Sequence, residues 1–245
     1  MEFVVEDRPY TTRPNFKKLT GSLYSKMIDH RYIDAKYDEF KSIKSPHGLW
    51  ASSDDAYDDR IVSKTAQHLG FETTNIIELG FHLEEDVVIM HKGRLQSLFV
   101  AFPSGWDPAS KLMMTLEQIH KPVARGDELR AASSKIADIM ASGSGPWCRT
   151  VWTLTGNPKL SNHPSYTAPV PNSIDDLYFR YEYQTFDTVT IGETSVFLIK
   201  TVVVPYKEYV DTAEKQRIIK DSVMSMPEEI LTYKNLHKIK QLLWQ

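Results

Sequence analysis

The stretch WDPASKLMMTLEQIH, Trp106–His120, decides the interpretation of this chain. Asp107 is a typical N-cap residue, because its carboxylate accepts hydrogen bonds from the free N–H groups of a first helical turn. Pro108 is favoured at the first helical position, where a missing N–H costs nothing. We therefore expect a helix that begins at Pro108 and runs to the end of this stretch.

One histidine lies on the apolar face of this predicted helix. Leu112, Leu116 and His120 are spaced four residues apart, so their side chains share the face that packs against the core. Pro122 disfavours helical geometry just before it, which places the end of the helix at about His120. A histidine in such a position is usually a partly buried residue that bonds a carbonyl oxygen. The alternative is a rigidly held ligand for a metal or a cofactor.

Apolar periodicity and turn residues divide the rest of the chain into helices and strands. Lys92-Gly93 marks a hairpin between two β-rich runs. The expected helices are residues 29–43, 59–69, 108–120 and 127–140, with two more after residue 205. The expected strands are the two arms of the hairpin over 87–102, then residues 147–154, 178–186 and 195–205, with loops over 45–55 and 157–173. The fold class is therefore predicted to be α+β.

Composition favours a single domain and excludes several classes of function. The chain has 245 residues, of which 41% are hydrophobic and 25% charged, enough for one sizeable core. The net charge is −3 without a lysine- or arginine-rich block, so nucleic acid is not an expected partner. No apolar run approaches the roughly 18 residues of a membrane span, and the first residues lack the pattern of an export signal. With Cys148 as its single cysteine, we expect a cytoplasmic protein.

Four sequence blocks occur in the order that is found in one known family. They are SLFVAFPSGWDPASKLMMTLEQIHKPV at Ser97–Val123, WTLTGNPKL at Trp152–Leu160, RYEYQT at Arg180–Thr185 and MPEEILTYKNL at Met226–Leu236. Together these blocks resemble the heme-dependent oxidative N-demethylase alpha-subunit family. The resemblance implies a PAS-like fold, a curved antiparallel sheet with helices packed over one face and a pocket between them. It implies a single heme-binding domain, 1–245, with a sheet and helix core, 71–205, and N-terminal and C-terminal helical extensions, 1–70 and 206–245.

The same resemblance implies a cofactor and a reaction. His120 becomes the proximal ligand of heme b, and a methyl group of a small secondary amine such as dimethylamine is oxidised with dioxygen. The products are formaldehyde and a primary amine. The chain has no glycine-rich dinucleotide motif and no cysteine cluster, so electrons must come from flavin and iron–sulfur reductase subunits. The alternative is a non-enzymatic heme or small-ligand sensor on the same scaffold.

Alternation along the strand at residues 178–186 separates aromatic from polar side chains. Arg180, Glu182 and Gln184 share one face, which is either the solvated outer face of the sheet or a polar wall of the heme pocket. In the second case Arg180 pairs with a propionate or a partner carboxylate. Glu182 then holds a cationic amine and later accepts a proton, which makes Arg180 and Glu182 the candidate catalytic residues.

Three more residues are candidates for contact with the cofactor. Lys200 interrupts the most hydrophobic run of the chain and needs an anion, which is either a heme propionate or Glu182 at the sheet edge. Arg149 is a second candidate for a propionate. Trp152, on the strand that is expected to line the pocket, is the third. A thiolate ligand at Cys148 is disfavoured, because free cysteines are usually buried filler.

Overall fold

One antiparallel sheet forms the framework of the fold. The computed structural model describes residues 3–13, 15–26, 28–43, 49–52, 56–124 and 127–244. It does not describe the side chains of residues 56–58 and 127–132. The strands are β1 (Lys17–Lys18), β2 (Trp50–Ser52), β3 (Asp86–His91), β4 (Arg94–Phe99), β5 (Trp147–Thr155), β6 (Tyr178–Thr190) and β7 (Thr194–Pro205). Their order across the sheet is β1-β5-β6-β7-β3-β4-β2, and neighbouring strands run antiparallel. The predicted hairpin and the three later strands are confirmed. β1 and β2 were not predicted, and β2 lies within the expected loop 45–55, of which residues 45–48 and 53–55 lie outside the description.

Helices flank the sheet on both sides. They are α1 (His30–Ser42), α2 (Ala56–His68), α3 (Ile76–Phe81), α4 (Leu116–His120), α5 (Asp127–Ala141), α6 (Tyr206–Tyr209), α7 (Ala213–Met224), α8 (Glu228–Tyr233) and α9 (His237–Trp244). α1, α2 and α5 confirm predicted helices, whereas α3 was not predicted. After residue 205 the chain forms four short helices, α6 to α9, instead of the expected two. Within the described ranges, each helix is too short or too polar to cross a bilayer.

The β3–β4 hairpin lies near the middle of the fold. Lys92 and Gly93 have φ angles of 48° and 74°, the positive values that a tight two-residue turn of this kind requires. Every residue of β3 is buried. Burial on both sides of a strand means that other elements cover both faces of the sheet at this point.

Different helices cover the two faces of the sheet. On one face lie α4 and α5, where the shared core contains Val88, Met90, Ile136 and Met140. On the reverse face lie α1 to α3, where the core contains Val87, Ile89, Ile61 and Leu79. Further along that reverse face the C-terminal helices pack on β5 and β6, with a core that contains Leu154, Phe179, Ile219 and Ile230. The curved antiparallel α+β architecture is thus confirmed.

Candidate functional site

The helix that carries His120 is shorter than the sequence predicts. α4 begins at Leu116 rather than at Pro108, so the prediction of one continuous helix across this stretch is wrong. Residues 109–111 form a single 3₁₀ turn, and Met113 has a φ of 63°, which is incompatible with a right-handed helix. The predicted end of the helix at His120 is confirmed.

Pairing with the hairpin explains this break. The Met113 N–H donates to the Leu95 oxygen at 2.7 Å, and the Leu95 N–H donates to the Met114 oxygen at 2.9 Å. These strand-like hydrogen bonds replace the local bonds of a helix. Thr115 then starts α4 with a capping box, so Asp107 is not the N-cap that the sequence predicts.

The His120 imidazole is half-buried at the end of α4 and is neutral at physiological pH. Burial lowers its pKa to about 4, and the nearby Arg149 cation lowers it as well. Its Nδ1 atom is buried and has no hydrogen-bond partner among the residues that the structure describes, so the usual carbonyl contact is not seen at this atom. A neutral imidazole with an unused ring nitrogen is the form in which histidine binds a metal.

β5 and β6 present a polar face beside this histidine. Alternation along β6 places Arg180, Glu182 and Gln184 on one face, and the register aligns Arg149 of β5 with Gln184. Arg180 and Gln184 are buried and Glu182 is half-buried, so this row is not a solvated outer face. The structure therefore brings Arg149, Arg180 and Glu182 together on the side of the sheet where His120 lies.

Glu182 lies at the centre of a hydrogen-bonded chain across this face. Ser104 Oγ donates to Glu182 Oε1 at 2.5 Å, and Gln184 Nε2 donates to Glu182 Oε2 at 2.7 Å. The amide oxygen of Gln184 accepts a bond from Arg149 Nε at 2.5 Å. A carboxylate offers about four lone-pair positions, so about two remain for a ligand. Ser104 is exposed, so the chain reaches solvent at this end.

Arg180 donates to main-chain oxygens rather than to a partner carboxylate, one of its two predicted acceptors, while the other, a heme propionate, stays a prediction. Its guanidinium donates to Ser104 Oγ at 3.0 Å, to the Phe102 oxygen at 2.8 Å and to the Leu160 oxygen. These bonds tie the segment after β4 to the proline-rich loop. Arg180 therefore positions Ser104 and, through that hydroxyl, the Glu182 carboxylate.

Asp86 holds the same segment from its other end. The buried carboxylate accepts hydrogen bonds from the N–H groups of Ala101 and Phe102 at 2.9 and 3.0 Å. Burial raises the pKa of Asp86 to about 6, and the cation of Lys36 opposes this shift. Lys36 is completely buried. Its ammonium donates at 2.6–2.8 Å to three main-chain oxygens, those of Gly80, Leu83 and Glu85.

Two residues without a predicted role, Lys234 and Tyr10, complete the site. Lys234, the C-cap residue of α8, donates to the Trp152 oxygen at 2.8 Å and lies 5.4 Å from the centre of the Tyr10 ring. Burial lowers the pKa of Lys234 to about 8, an effect opposed by Glu182. Burial raises the pKa of Tyr10 to about 12, an effect opposed by Arg149. Lys234 lies within the MPEEILTYKNL block, whereas no local signal marks Tyr10.

Trp152 and Lys200 lie on the face opposite Arg149. Trp152 stacks on Phe179 with ring centres 5.6 Å apart, within the core that the C-terminal helices cover. The Lys200 ammonium lies 2.5 Å from a carboxylate oxygen of Glu84, and Glu182, its predicted partner at the sheet edge, is not the residue that it pairs with. The structure therefore does not bring these two predicted cofactor contacts to the site around His120.

The chain also matches a known protein family in sequence. The family model described as "Haem-dependent oxidative N-demethylase, alpha subunit-like" matches residues 53–244, which is most of the chain. No curated protein matches the chain at a significant level. The matched range contains all four sequence blocks and the polar face of β5 and β6. The chain therefore belongs to the haem-dependent oxidative N-demethylase alpha-subunit-like family.

Proposed function

We propose that this chain is the heme-binding, catalytic subunit of an oxidative N-demethylase that acts on a small secondary amine such as dimethylamine. Membership of the family supports the general class. The observation that carries the proposal is the His120 imidazole, which is neutral and half-buried and whose Nδ1 lacks a partner among the described residues. The products of the proposed reaction are formaldehyde and a primary amine.

The side chains around His120 include the chemical types that would hold heme b. A neutral imidazole is a common protein ligand of heme iron, so His120 is the residue that would hold the metal. Arg149 is close enough to lower the pKa of His120, and a cation there suits the carboxylate groups of the porphyrin. Partly buried apolar side chains on the same side, among them Ile119 and Trp147, would supply surface for the flat macrocycle.

The chemistry that bound heme b supplies is oxidation of a methyl carbon by dioxygen with two electrons from outside. The residues of the chain bind and orient the amine. A secondary amine is protonated at neutral pH, so the half-buried carboxylate of Glu182 attracts it. The free lone pairs of Glu182 accept its N–H groups, and the same carboxylate takes the proton when the nitrogen becomes neutral. Ser104 and Gln184 fix the carboxylate by donating to it.

The proposed subunit depends on partners for its electrons. The chain has no glycine-rich dinucleotide motif and a single cysteine, so flavin and iron–sulfur groups belong to reductase subunits that act in trans. The family is that of an alpha subunit, which supports a multi-component enzyme. We further propose a cytoplasmic location, where a lone thiol such as Cys148 stays reduced.

Absorption spectroscopy of the full-length protein, expressed with ample iron, tests the proposal. We expect a Soret band, a shift of that band on addition of dimethylamine, and formaldehyde release when a surrogate reductant supplies electrons. A heme protein that shows neither the shift nor formaldehyde would be the alternative, a heme sensor. A purified protein without a Soret band would contradict heme binding itself.

His120→Ala tests the assignment of the iron ligand. We expect heme affinity to fall by roughly a hundredfold or more, since loss of outer partners of a metal ligand alone costs about 10–100-fold. The fold should persist, because Nδ1 makes no hydrogen bond within the described residues. Hemin titration and far-UV circular dichroism measure the two effects, with His30→Ala on exposed surface as the matched control. Full heme occupancy with an unchanged spectrum in His120→Ala would overturn the assignment.

A further inference from the structure

The charges around Glu182 do not balance. Arg149, Arg180 and Lys234 all lie within electrostatic range of the Glu182 carboxylate. Asp86 also faces Arg180 and offsets its charge. Glu182 alone is then left to neutralise Arg149 and Lys234. The site therefore carries about one excess positive charge, which an anion would neutralise.

Every nitrogen of the Arg180 guanidinium already donates a hydrogen bond, whereas the two terminal nitrogens of Arg149 donate none within the described residues. Each nitrogen of the Arg180 guanidinium donates to Ser104 or to a main-chain oxygen. Arg149 uses only Nε, on Gln184, and its two terminal NH₂ groups have no acceptor among the described residues. Its guanidinium carbon lies 5.4 Å from the centre of the Phe16 ring, which holds the plane of the group.

Lys234 also keeps donors in reserve. Its ammonium has three N–H groups, and in the described part of the chain its one acceptor is the Trp152 oxygen. The Tyr10 ring lies 5.4 Å from Nζ and shields it from water. The charge of Arg149 also lowers the pKa of Tyr10, so Arg149 and Lys234 both lie near the same phenol. Half-buried cations with unused donors are costly unless a ligand accepts those hydrogen bonds.

We propose that Arg149 and Lys234 form a carboxylate-binding subsite next to His120. The paired terminal NH₂ groups of an arginine match the two oxygens of a planar carboxylate, and the single excess charge matches a monoanion. This subsite rests on the proposed function, in which Glu182 holds the ammonium group. The carboxylate belongs either to a heme propionate or to the amine substrate itself, which would then be an N-methyl amino acid rather than a plain alkylamine.

The first arm of the test asks whether the carboxylate is a heme propionate. The heme-free full-length protein is titrated with hemin and with hemin dimethyl ester, whose propionates carry no charge. If the subsite binds a propionate, the ester binds wild type roughly tenfold or more weakly, the effect of losing one charge-assisted hydrogen bond. In Arg149→Met/Lys234→Met the two compounds then bind within about threefold of each other.

The second arm asks whether the carboxylate belongs to the substrate. The heme-loaded protein is titrated with N-methylglycine and with dimethylamine, which differ by one carboxylate, and the Soret shift is recorded. If the subsite binds the substrate, N-methylglycine acts at roughly tenfold lower concentration, and the double variant loses this preference. Lys234→Arg keeps the charge and should keep the preference. Lys238→Met, on an exposed lysine bonded to Asn172, is the control and should behave as wild type.

If the wild type prefers the compound with the carboxylate in one arm and the double variant does not, the subsite is supported. The arm that shows the preference identifies whether the carboxylate comes from heme or from the substrate. Absence of preference in both arms, or preference that survives in the double variant, overturns the subsite. If the protein binds no heme, the proposed function is contradicted, but the subsite can still be tested. In that case N-methylglycine should move the Nε–H resonance of Arg149 in ¹⁵N-arginine-labelled protein and dimethylamine should not, and an unmoved resonance overturns the subsite.

Discussion

Lys36 is completely buried and Lys234 is half-buried, and their hydrogen bonds differ as well. Burial lowers the pKa of each to about 8, so the pKa does not separate them. Lys36 donates to three main-chain oxygens, which uses every N–H that an ammonium has. Lys234 donates to one, the Trp152 oxygen. The closed site of Lys36 serves stability, whereas the open site of Lys234 and Arg149 has capacity for a ligand.

Lys36→Met should produce the largest effect on stability. Removing one partner from a buried group of charges costs about 3–5 kcal/mol, because Asp86 and Glu85 lose the cation that faces them. Lys234→Met should cost about 1 kcal/mol, the net value of one hydrogen bond. Urea unfolding of wild type and both variants measures the difference. Equal losses in the two variants would remove the distinction between a closed and an open site.

The free energy of unfolding should depend on pH through His120, which lies beside the open site. The pKa of His120 falls from 6.5 to about 4 on folding, so between these values the unfolded chain holds a proton that the folded one lacks. The free energy of unfolding therefore decreases as pH falls from 6.5 toward 4, by roughly 2–3 kcal/mol at about 1.4 kcal/mol per pKa unit. His120→Ala removes this loss.

Urea unfolding of heme-free wild type and His120→Ala at pH 7 and pH 4.5 measures this difference. Asp86 contributes with the opposite sign, because its pKa is raised to about 6 and its folded state holds the extra proton. That contribution is common to both proteins and cancels in the comparison. Identical pH dependence in the two proteins would show that the imidazole is not kept neutral by burial.

Glu182→Gln should have a smaller effect than the loss of Lys36 or the protonation of His120. The amide removes the negative charge but retains an oxygen that can accept the Ser104 hydroxyl, so heme binding should persist. The affinity for dimethylamine should fall about tenfold, or roughly 1.4 kcal/mol, because the ammonium loses its counter-charge. The Soret titration measures it, with exposed Glu208→Gln as the control. An unaltered amine titration would remove Glu182 from the site.

Local patterns in the sequence were sufficient for most elements of the sheet and for its polar face. The turn at Lys92-Gly93 and the alternation around Glu182 are properties of a few adjacent residues, and the structure reproduces both. The helix predicted from Pro108 failed because a distant strand competes for its backbone, with Leu95 bonded to Met113. Apolar periodicity carries no information about that pairing.

The candidate site was less accessible to sequence reasoning than the fold. Periodicity predicts which neighbouring side chains share a face with His120, Arg149 or Glu182. Tyr10 and Lys234 meet only because the two ends of the chain pack together at the edge of β5. Alternation along β5 places Trp152 and Arg149 on opposite faces of the sheet. The sequence does not show which of these faces carries the pocket and which is covered by the C-terminal helices.

The hydrogen bonds between Leu95 and the segment before α4 also determine how the chain tolerates changes in length. Met113 and Thr115 are anchored to the hairpin, and the capping box fixes the first turn of α4. An extra residue inserted before this anchor would be absorbed in the loop. One inserted between Thr115 and His120 would turn the imidazole by about 100° around the helix axis. The direction of the ring is thus set by an anchor five residues upstream and by a strand that is distant in the sequence.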